Sequence, residues 1–223
     1  MNYSIAIDGP AGSGKSTIAK RLAKDLGFTY VDTGAMYRAI ALWALENAPD
    51  IKDERLIASH LDEVDIDLEY SEGSQQVILN GENVTDRLRQ EETGKAASVV
   101  SKQKKVREKL VSIQQKLAGS QSVIMDGRDI GTKVLPDAFL KVFMTASPEV
   151  RAKRRFDELT LKGEKCDYEE ILKGVKERDH ADETRKISPL KPADDAVILD
   201  TSVMSEAEVT GEIQRLFEER KRS

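Results

Sequence analysis

The chain has 223 residues, 39% hydrophobic and 34% charged, with a formal net charge of −5. That length suffices for one sizeable core with an accessory lobe, and the acidic balance argues against bulk binding to a nucleic-acid backbone. Cys166 is the only cysteine, which excludes internal disulfides and two-cysteine zinc or redox patterns, and His60 and His180 are too few and too far apart to suggest a metal centre.

No apolar run approaches the ~18 residues of a membrane span, and Met1-Asn2-Tyr3-Ser4-Ile5 lacks the basic-then-apolar pattern of a secretion leader. The expectation is a cytoplasmic protein with no membrane partner, in which the sequon Asn83-Val84-Thr85 is a chance match.

In chain order, Ser4-Ile5-Ala6-Ile7-Asp8 is a short apolar run ending at a glycine, which reads as a buried strand. Ile18, Ala19, Leu22, Ala23 and Leu26 share one face of a helix that Gly27 stops. Thr29-Tyr30-Val31 is a second strand, and Ala35 to Ala48 a second helix before Pro49. From Val64 to Val84 the period changes. Asp65 to Tyr70 alternates, Gly73-Ser74 turns, Gln76 to Leu79 runs apolar, and Asn80-Gly81 is a strong hairpin signal. This reads as a small antiparallel meander.

Glu91 to Leu117 is predicted as one helix; its run Lys102, Lys104, Lys105, Arg107, Lys109 is a solvated face from which at most one member reaches a ligand. Ser122 to Met125 and Phe139 to Met144 are further strands. Ser147-Pro148 opens a helix through about Leu161, and Asp167 with Glu170 opens another that ends near Arg178. Ala196 to Leu199 is the fifth core strand, and the last helix carries Val209, Ile213, Leu216 and Phe217 on one face. The alternation implies a mainly parallel sheet covered on both faces.

The most specific local signal is Gly9-Pro10-Ala11-Gly12-Ser13-Gly14-Lys15-Ser16, a GxxxxGK[ST] motif lying after a strand and opening a helix. Its glycines let backbone N–H groups converge on an anion, and the helix N-terminus adds the positive end of its dipole. Lys15 is expected on the β- and γ-phosphates of ATP, the Ser16 hydroxyl on Mg²⁺, and Thr17 on the α-phosphate. There is no Asn-Lys-x-Asp segment of a GTPase and no Leu-Ser-Gly-Gly signature of a transporter ATPase. A compact small-molecule kinase remains.

Arg38 and Arg128 sit just past strands, at the sheet edge where ligands bind in open α/β folds. Arg178 and Arg185 flank Asp182 in a polar segment without apolar periodicity, which suggests a mobile lid. Such arginines suit an acceptor phosphate and the transferring group, although charged helix ends have the same appearance. Asp126 follows an apolar strand, as an acid orienting a magnesium-bound water does, and is equally compatible with a structural role.

The chain resembles the bacterial cytidylate (CMP) kinases over nearly its whole length. The resemblance is carried by the P-loop, Asp32-Thr33-Gly34-Ala35-Met36-Tyr37-Arg38, Asp126-Gly127-Arg128-Asp129-Ile130-Gly131-Thr132 and Lys176-Glu177-Arg178-Asp179. It implies a P-loop NTPase three-layer α/β sandwich with a five-stranded mainly parallel sheet, an inserted antiparallel nucleoside-monophosphate-binding subdomain and a helical lid. Residues 1–60 and 119–223 would form the core, with the lid at about 155–187, and 61–118 the insert.

The implied activity is transfer of the γ-phosphoryl group of ATP to CMP or dCMP by a monomer. By the same resemblance Thr33, Arg38, Arg128 and Arg185 hold the acceptor phosphate. Ser98, Arg107 and Asp129 read the cytosine edge, and Arg178 and Asp182 contact the ribose. Lys15 and the lid arginines Arg178 and Arg185, with Arg128, stabilise the transferring charge. Thr33 stands where relatives often have serine, and Ala181 where some carry a further arginine, which implies a lid that holds ATP with fewer cations. Two other readings stay open at this point: a kinase of another monophosphate or small metabolite, and a module that binds nucleotide without transferring phosphate.

Overall fold

The computed structural model describes residues 2–71 and 74–222. The chain begins with β1 (Ser4–Asp8), α1 (Lys15–Leu26), β2 (Thr29–Asp32), α2 (Thr33–Asn47) and α3 (Glu54–His60). The strands β3 (Ile66–Ser71), β4 (Ser74–Leu79) and β5 (Glu82–Asn83) follow, then α4 (Glu91–Val100) and α5 (Lys104–Ser120). The remainder is β6 (Val123–Gly127), β7 (Leu140–Thr145), α6 (Pro148–Leu161), α7 (Tyr168–Thr184), β8 (Val197–Asp200) and α8 (Glu206–Arg222).

One sheet has the order β2-β6-β1-β7-β8, and the other is the antiparallel β3-β4-β5. The expected α/β class with its five-stranded sheet and separate small antiparallel sheet is what the structure contains. Contacts divide the chain into two compact units, Met1–Thr29 with Ser122–Ser223, and Tyr30–Gln121.

In the first unit β1 is central, pairing in parallel with β6 and β7, while β7 pairs in parallel with β8. Ile5, Ala6 and Ile7 are fully buried, as an apolar run covered on both faces requires. On α1 the buried Ile18, Ala19, Leu22 and Ala23 form the expected stripe, and Gly27 ends the helix in the left-handed conformation, donating to Ala23 O. Tyr3, Phe28 and Phe139 precede β1, β2 and β7. With Phe217 of α8 they form a cluster, edge-on at centroid distances of 4.9–5.7 Å with Tyr3 and Phe28 stacked at 6.3 Å, sealing the amino ends of the strands. The carboxyl ends are left for the loops.

In α6 the Ser147 hydroxyl accepts from Val150 N, with proline opening the helix, as expected. The Asp167 carboxylate accepts from Glu170 N to start α7. That helix runs to Thr184 rather than ending near Arg178. No glycine or proline follows Arg178 before Thr184, and the Thr184 hydroxyl donates to His180 O at 2.6 Å in the last turn. Arg178 and Asp182 are therefore helical, one turn apart, and not in an irregular segment.

The second unit begins at Tyr30, upstream of the expected position 61, because α2 belongs to it. From Ala39 to Ala44 every residue of α2 is buried, as is Met36, so the helix needs cover on all sides. It packs against α4, α5 and β4. The β4–β5 hairpin turns at Asn80 (φ 49°) and Gly81 (φ 84°), the pairing of left-handed residues that an Asn-Gly hairpin adopts. The turn expected at Gly73-Ser74 lies outside the described residues at Gly73.

The helix predicted over 91–117 is two helices. Residues 101–103 leave the helical path because tertiary partners hold them: Gln103 Nε2 donates to Ile51 O at 2.8 Å, and Lys104 N to Glu54 Oε1 at 2.9 Å. Glu54 thereby caps α5 from α3.

Gly9 sets the geometry on which the site depends. Its φ is +153°, and a Cβ there would stand 2.0 Å from Met144 O on the neighbouring strand. Gly9→Ala is expected to cost at least about 2 kcal/mol. Urea unfolding followed by circular dichroism checks this; a midpoint within error of the wild type contradicts the close approach.

Candidate active site

In the first unit the turn between β1 and α1 is held by contacts from behind. Lys15 Nζ donates to Pro10 O at 3.0 Å, the Thr201 hydroxyl to Ser13 O at 3.2 Å, and Arg151 Nη1 to Ala11 O at 3.1 Å. Gly14 adopts the left-handed conformation (φ 86°) and delivers the chain into α1. The residues expected to cradle phosphates, Gly9 to Thr17, thus form a turn at a helix N-terminus, as the motif requires.

Beside it lies a cavity of about 580 Å³ lined by Gly12, Ser13, Gly14, Thr17, Arg151, Arg154, Arg155 and Thr201 among others. Its volume and the arginines Arg154 and Arg155 suit the remainder of a nucleotide. Arg154 is fixed by a 2.7 Å bond from Nη2 to Thr201 O.

The Ser16 hydroxyl donates to Asp126 Oδ2 at 2.7 Å, and Asp126 is almost fully buried at the end of β6. A hydroxyl and a buried carboxylate at a phosphate cradle are the hard oxygen donors that Mg²⁺ takes, alone or through water. The residues present fit the metal. Among the described residues no group of three His, Cys, Asp or Glu side chains forms a metal cluster; the Ser16–Asp126 pair needs none.

The Asp-Gly-Arg-Asp segment follows Asp126 directly. Arg128 Nε donates to Asp182 Oδ2 at 2.8 Å, and Arg185 Nη2 lies 3.7 Å from Asp129 Oδ1, with both members of the second pair nearly buried. Four of the expected site residues in this unit therefore converge where α7 ends beside the β6 loop. Arg185 Nε also donates to Ser188 O. Arg178 is exposed, one turn before Asp182.

In the second unit Asp32 caps α2 through Ala35 N at 2.9 Å and pairs with Arg38 Nη2 at 3.0 Å. Thr33 and Arg38 thus share the first turns of α2. Arg107 is buried, donates from Nη1 to Ser101 O at 3.3 Å and lies over the Tyr37 ring. The Ser101 hydroxyl in turn donates to Ser98 O at 3.4 Å. Ser98 and Arg107 are therefore linked through Ser101 at the break between α4 and α5, which the single-helix expectation concealed, while the Ser98 hydroxyl itself donates to Gly94 O at 3.4 Å.

Sequence reasoning missed two groups, Arg151 and Asp8, which gave no local signal. Asp126 it named, as an acid ending an apolar strand with a metal-water role and a structural role both open. The Asp8 carboxylate is buried and accepts from Ile130 N and Gly131 N, each at 2.8 Å, which anchors the start of the π-type turn Ile130–Val134 to the end of β1. Burial pushes its pKa up from 3.8 to about 6, opposed by the Gly131 and Ile130 N–H groups.

The folded chain therefore binds the Asp8 proton more tightly than the unfolded one. Its contribution to stability is fully present below pH 3.8 and is lost as pH rises through about 6. The amount is about 3 kcal/mol. Urea unfolding of wild type and Asp8→Asn between pH 4 and 7 is expected to show this fall in the wild type alone; parallel profiles contradict it.

The cytidylate kinase family model matches residues 5–219. A cytidylate kinase of Caldicellulosiruptor saccharolyticus is 53% identical over 214 residues, 96% of this chain and 95% of that relative. Those of Pediococcus pentosaceus and Bacillus velezensis are 48% and 46% identical, covering 97% and 98% of this chain and 96% and 98% of theirs. Among solved structures, an uncharacterized protein from Eubacterium ventriosum aligns over 97% of this chain and 99% of its own, with a TM-score of 0.54 and 13% identity, a likeness of fold. Spanning nearly its full length at about half identity, the match to these enzymes makes the chain a member of the cytidylate kinase family.

Proposed function

We propose that the chain transfers the γ-phosphoryl group of Mg·ATP to CMP, and to dCMP, giving ADP and CDP or dCDP, as a monomer in the cytoplasm. The observation that carries this reading is the pairing of Arg128 with Asp182 and of Arg185 with Asp129 beside a P-loop. Carboxylates hold two guanidinium groups ready at the ligand edge of the sheet, and an incoming phosphate competes for them with two charges of its own. The family match favours a cytidine nucleotide as that acceptor.

In this reading the P-loop N–H groups and Lys15 hold the β- and γ-phosphates of ATP, and Ser16 with Asp126 holds Mg²⁺. Bound there, the metal withdraws charge from the phosphate oxygens. Thr33, Arg38, Arg128 and Arg185 are the residues assigned to the acceptor phosphate. Asp129, Ser98 and Arg107 read the base; a carboxylate acceptor suits the exocyclic amine that distinguishes cytosine from uracil. Arg178 and Asp182 hold the ribose, and residues 155–187 serve as the lid.

The acceptor phosphate is already ionised, so no strong base is required. An acceptor oxygen attacks the γ-phosphorus in line, the bond to the β-bridging oxygen breaks, and Lys15 with Arg128, Arg178 and Arg185 carries the charge that develops on the transferring and leaving groups.

A panel of CMP, dCMP, UMP, AMP and GMP with Mg·ATP tests the assignment. CMP and dCMP are expected to be the preferred acceptors; preference for AMP or GMP with both cytidine nucleotides inactive overturns it. Lys15→Ala is expected to lower kcat at least ~100-fold. Arg128→Ala is expected to raise KM for CMP far more than KM for ATP, and equal effects on both would remove it from the acceptor clamp.

A further inference from the structure

Arg151 is a buried cation that no step of the transfer uses. It stands in the first turn of α6, and its guanidinium reaches three other segments. Nε donates to Ala146 O just past β7 at 2.8 Å, and Nη1 to Ala11 O of the P-loop at 3.1 Å. Nη1 and Nη2 also close a two-bond fork on Asp179, at 2.9 Å to Oδ1 and 2.5 Å to Oδ2. The aliphatic stem lies on the turn as well: a Cβ on Gly12 would stand 3.3 Å from Arg151 Cβ.

Asp179 belongs to the Lys176-Glu177-Arg178-Asp179 segment, for which the transfer supplies no role beyond Arg178. It sits on α7, directly after Arg178 and one turn from Asp182, which holds Arg128. One guanidinium therefore joins a carbonyl of the phosphate cradle to the helix that carries the acceptor-side groups of this unit. A planar fork fixes both the position and the plane of the cation, which a single point charge does not.

We propose that Arg151 and Asp179 form a positioning clamp that holds the P-loop and α7 in one arrangement, so that the aim of the P-loop N–H groups depends on the α7 carboxylate. The inference rests on reading the P-loop as the ATP cradle. Asp179 holds the fork, the fork holds Ala11 O, and the carbonyl sets the orientation of the peptide plane whose N–H group, at Gly12, belongs to the cradle. Displacements of an ångström in such a frame are enough to cost phosphoryl transfer.

The test uses the full chain with Asp179→Asn, Arg151→Lys and the double variant. Three quantities are read: Kd for ADP by calorimetry, kcat/KM for ATP at saturating CMP, and the thermal midpoint. In each single variant Kd for ADP is expected to rise and kcat/KM for ATP to fall by about 10- to 100-fold. The double variant is expected to be no worse than the poorer single one, because both break the same device.

Arg151→Lys keeps a cation opposite Asp179 and gives up the fork, so it reports on the clamp even where Asp179→Asn does not fold. A lowered thermal midpoint with wild-type ADP affinity and wild-type kcat/KM in folded Arg151→Lys would reduce the pair to a structural one and overturn the proposal. Failure of the wild type itself to bind ADP would instead overturn the reading of the P-loop.

Discussion

A turn that receives phosphates through its own N–H groups can use few of them to hold itself together, here Ser13 N to Pro10 O at 3.5 Å, so much of its shape has to be imposed by other groups. The β1–α1 turn meets this constraint through its carbonyls and its glycines. Pro10 O accepts from Lys15, Ala11 O from Arg151 and Ser13 O from Thr201, which leaves the opposite edges of those peptides for a ligand. Gly9 lies against Met144 O, where no side chain fits. These restraints come from Lys15 at the start of α1, from the ends of β7 and β8 and from α6, so the strand order around β1 is what makes the cradle possible. The aromatic cluster at the other end of the strands leaves the carboxyl edge to function.

The second constraint is charge. Asp8, Lys15, Arg107, Asp126, Asp129 and Arg151 are all buried polar groups, and a buried charge is tolerable only with partners. The unit around the P-loop supplies them in complementary sets: Asp182 for Arg128, Asp129 for Arg185, Asp179 for Arg151. Asp8 is the exception in kind. It is held by two backbone N–H groups, and desolvation outweighs them enough to lift its pKa to about 6. It contributes the anchor between the end of β1 and the turn after Asp129.

What the sequence revealed was what nearest neighbours dictate. The P-loop, the Ser147 and Asp167 caps and the Asn80-Gly81 hairpin are legible because each depends on a few adjacent residues. The break at Ser101–Gln103 was hidden because Glu54 and Ile51, some 50 residues away in sequence, determine it. Arg151 was hidden for the same reason: Ala11 is 140 residues upstream of it and Asp179 is 28 downstream. The unit boundary at Tyr30 could have been suspected from the unbroken apolar character of Ala39 to Ala44, which no single sheet face would satisfy. For Thr33, Ser98, Arg107 and Asp129 no local pattern indicated a role, and only resemblance to a family singled them out.

The central claim is direct transfer between two nucleotides held together, with no phosphorylated form of the chain between them. Initial rates of CDP formation over a grid of ATP and CMP concentrations test it most directly. Double-reciprocal lines that intersect are the expected result, since both substrates must be bound before either product leaves. Parallel lines would mean that ADP departs before CMP binds and that the chain itself carries the phosphoryl group, which contradicts the account.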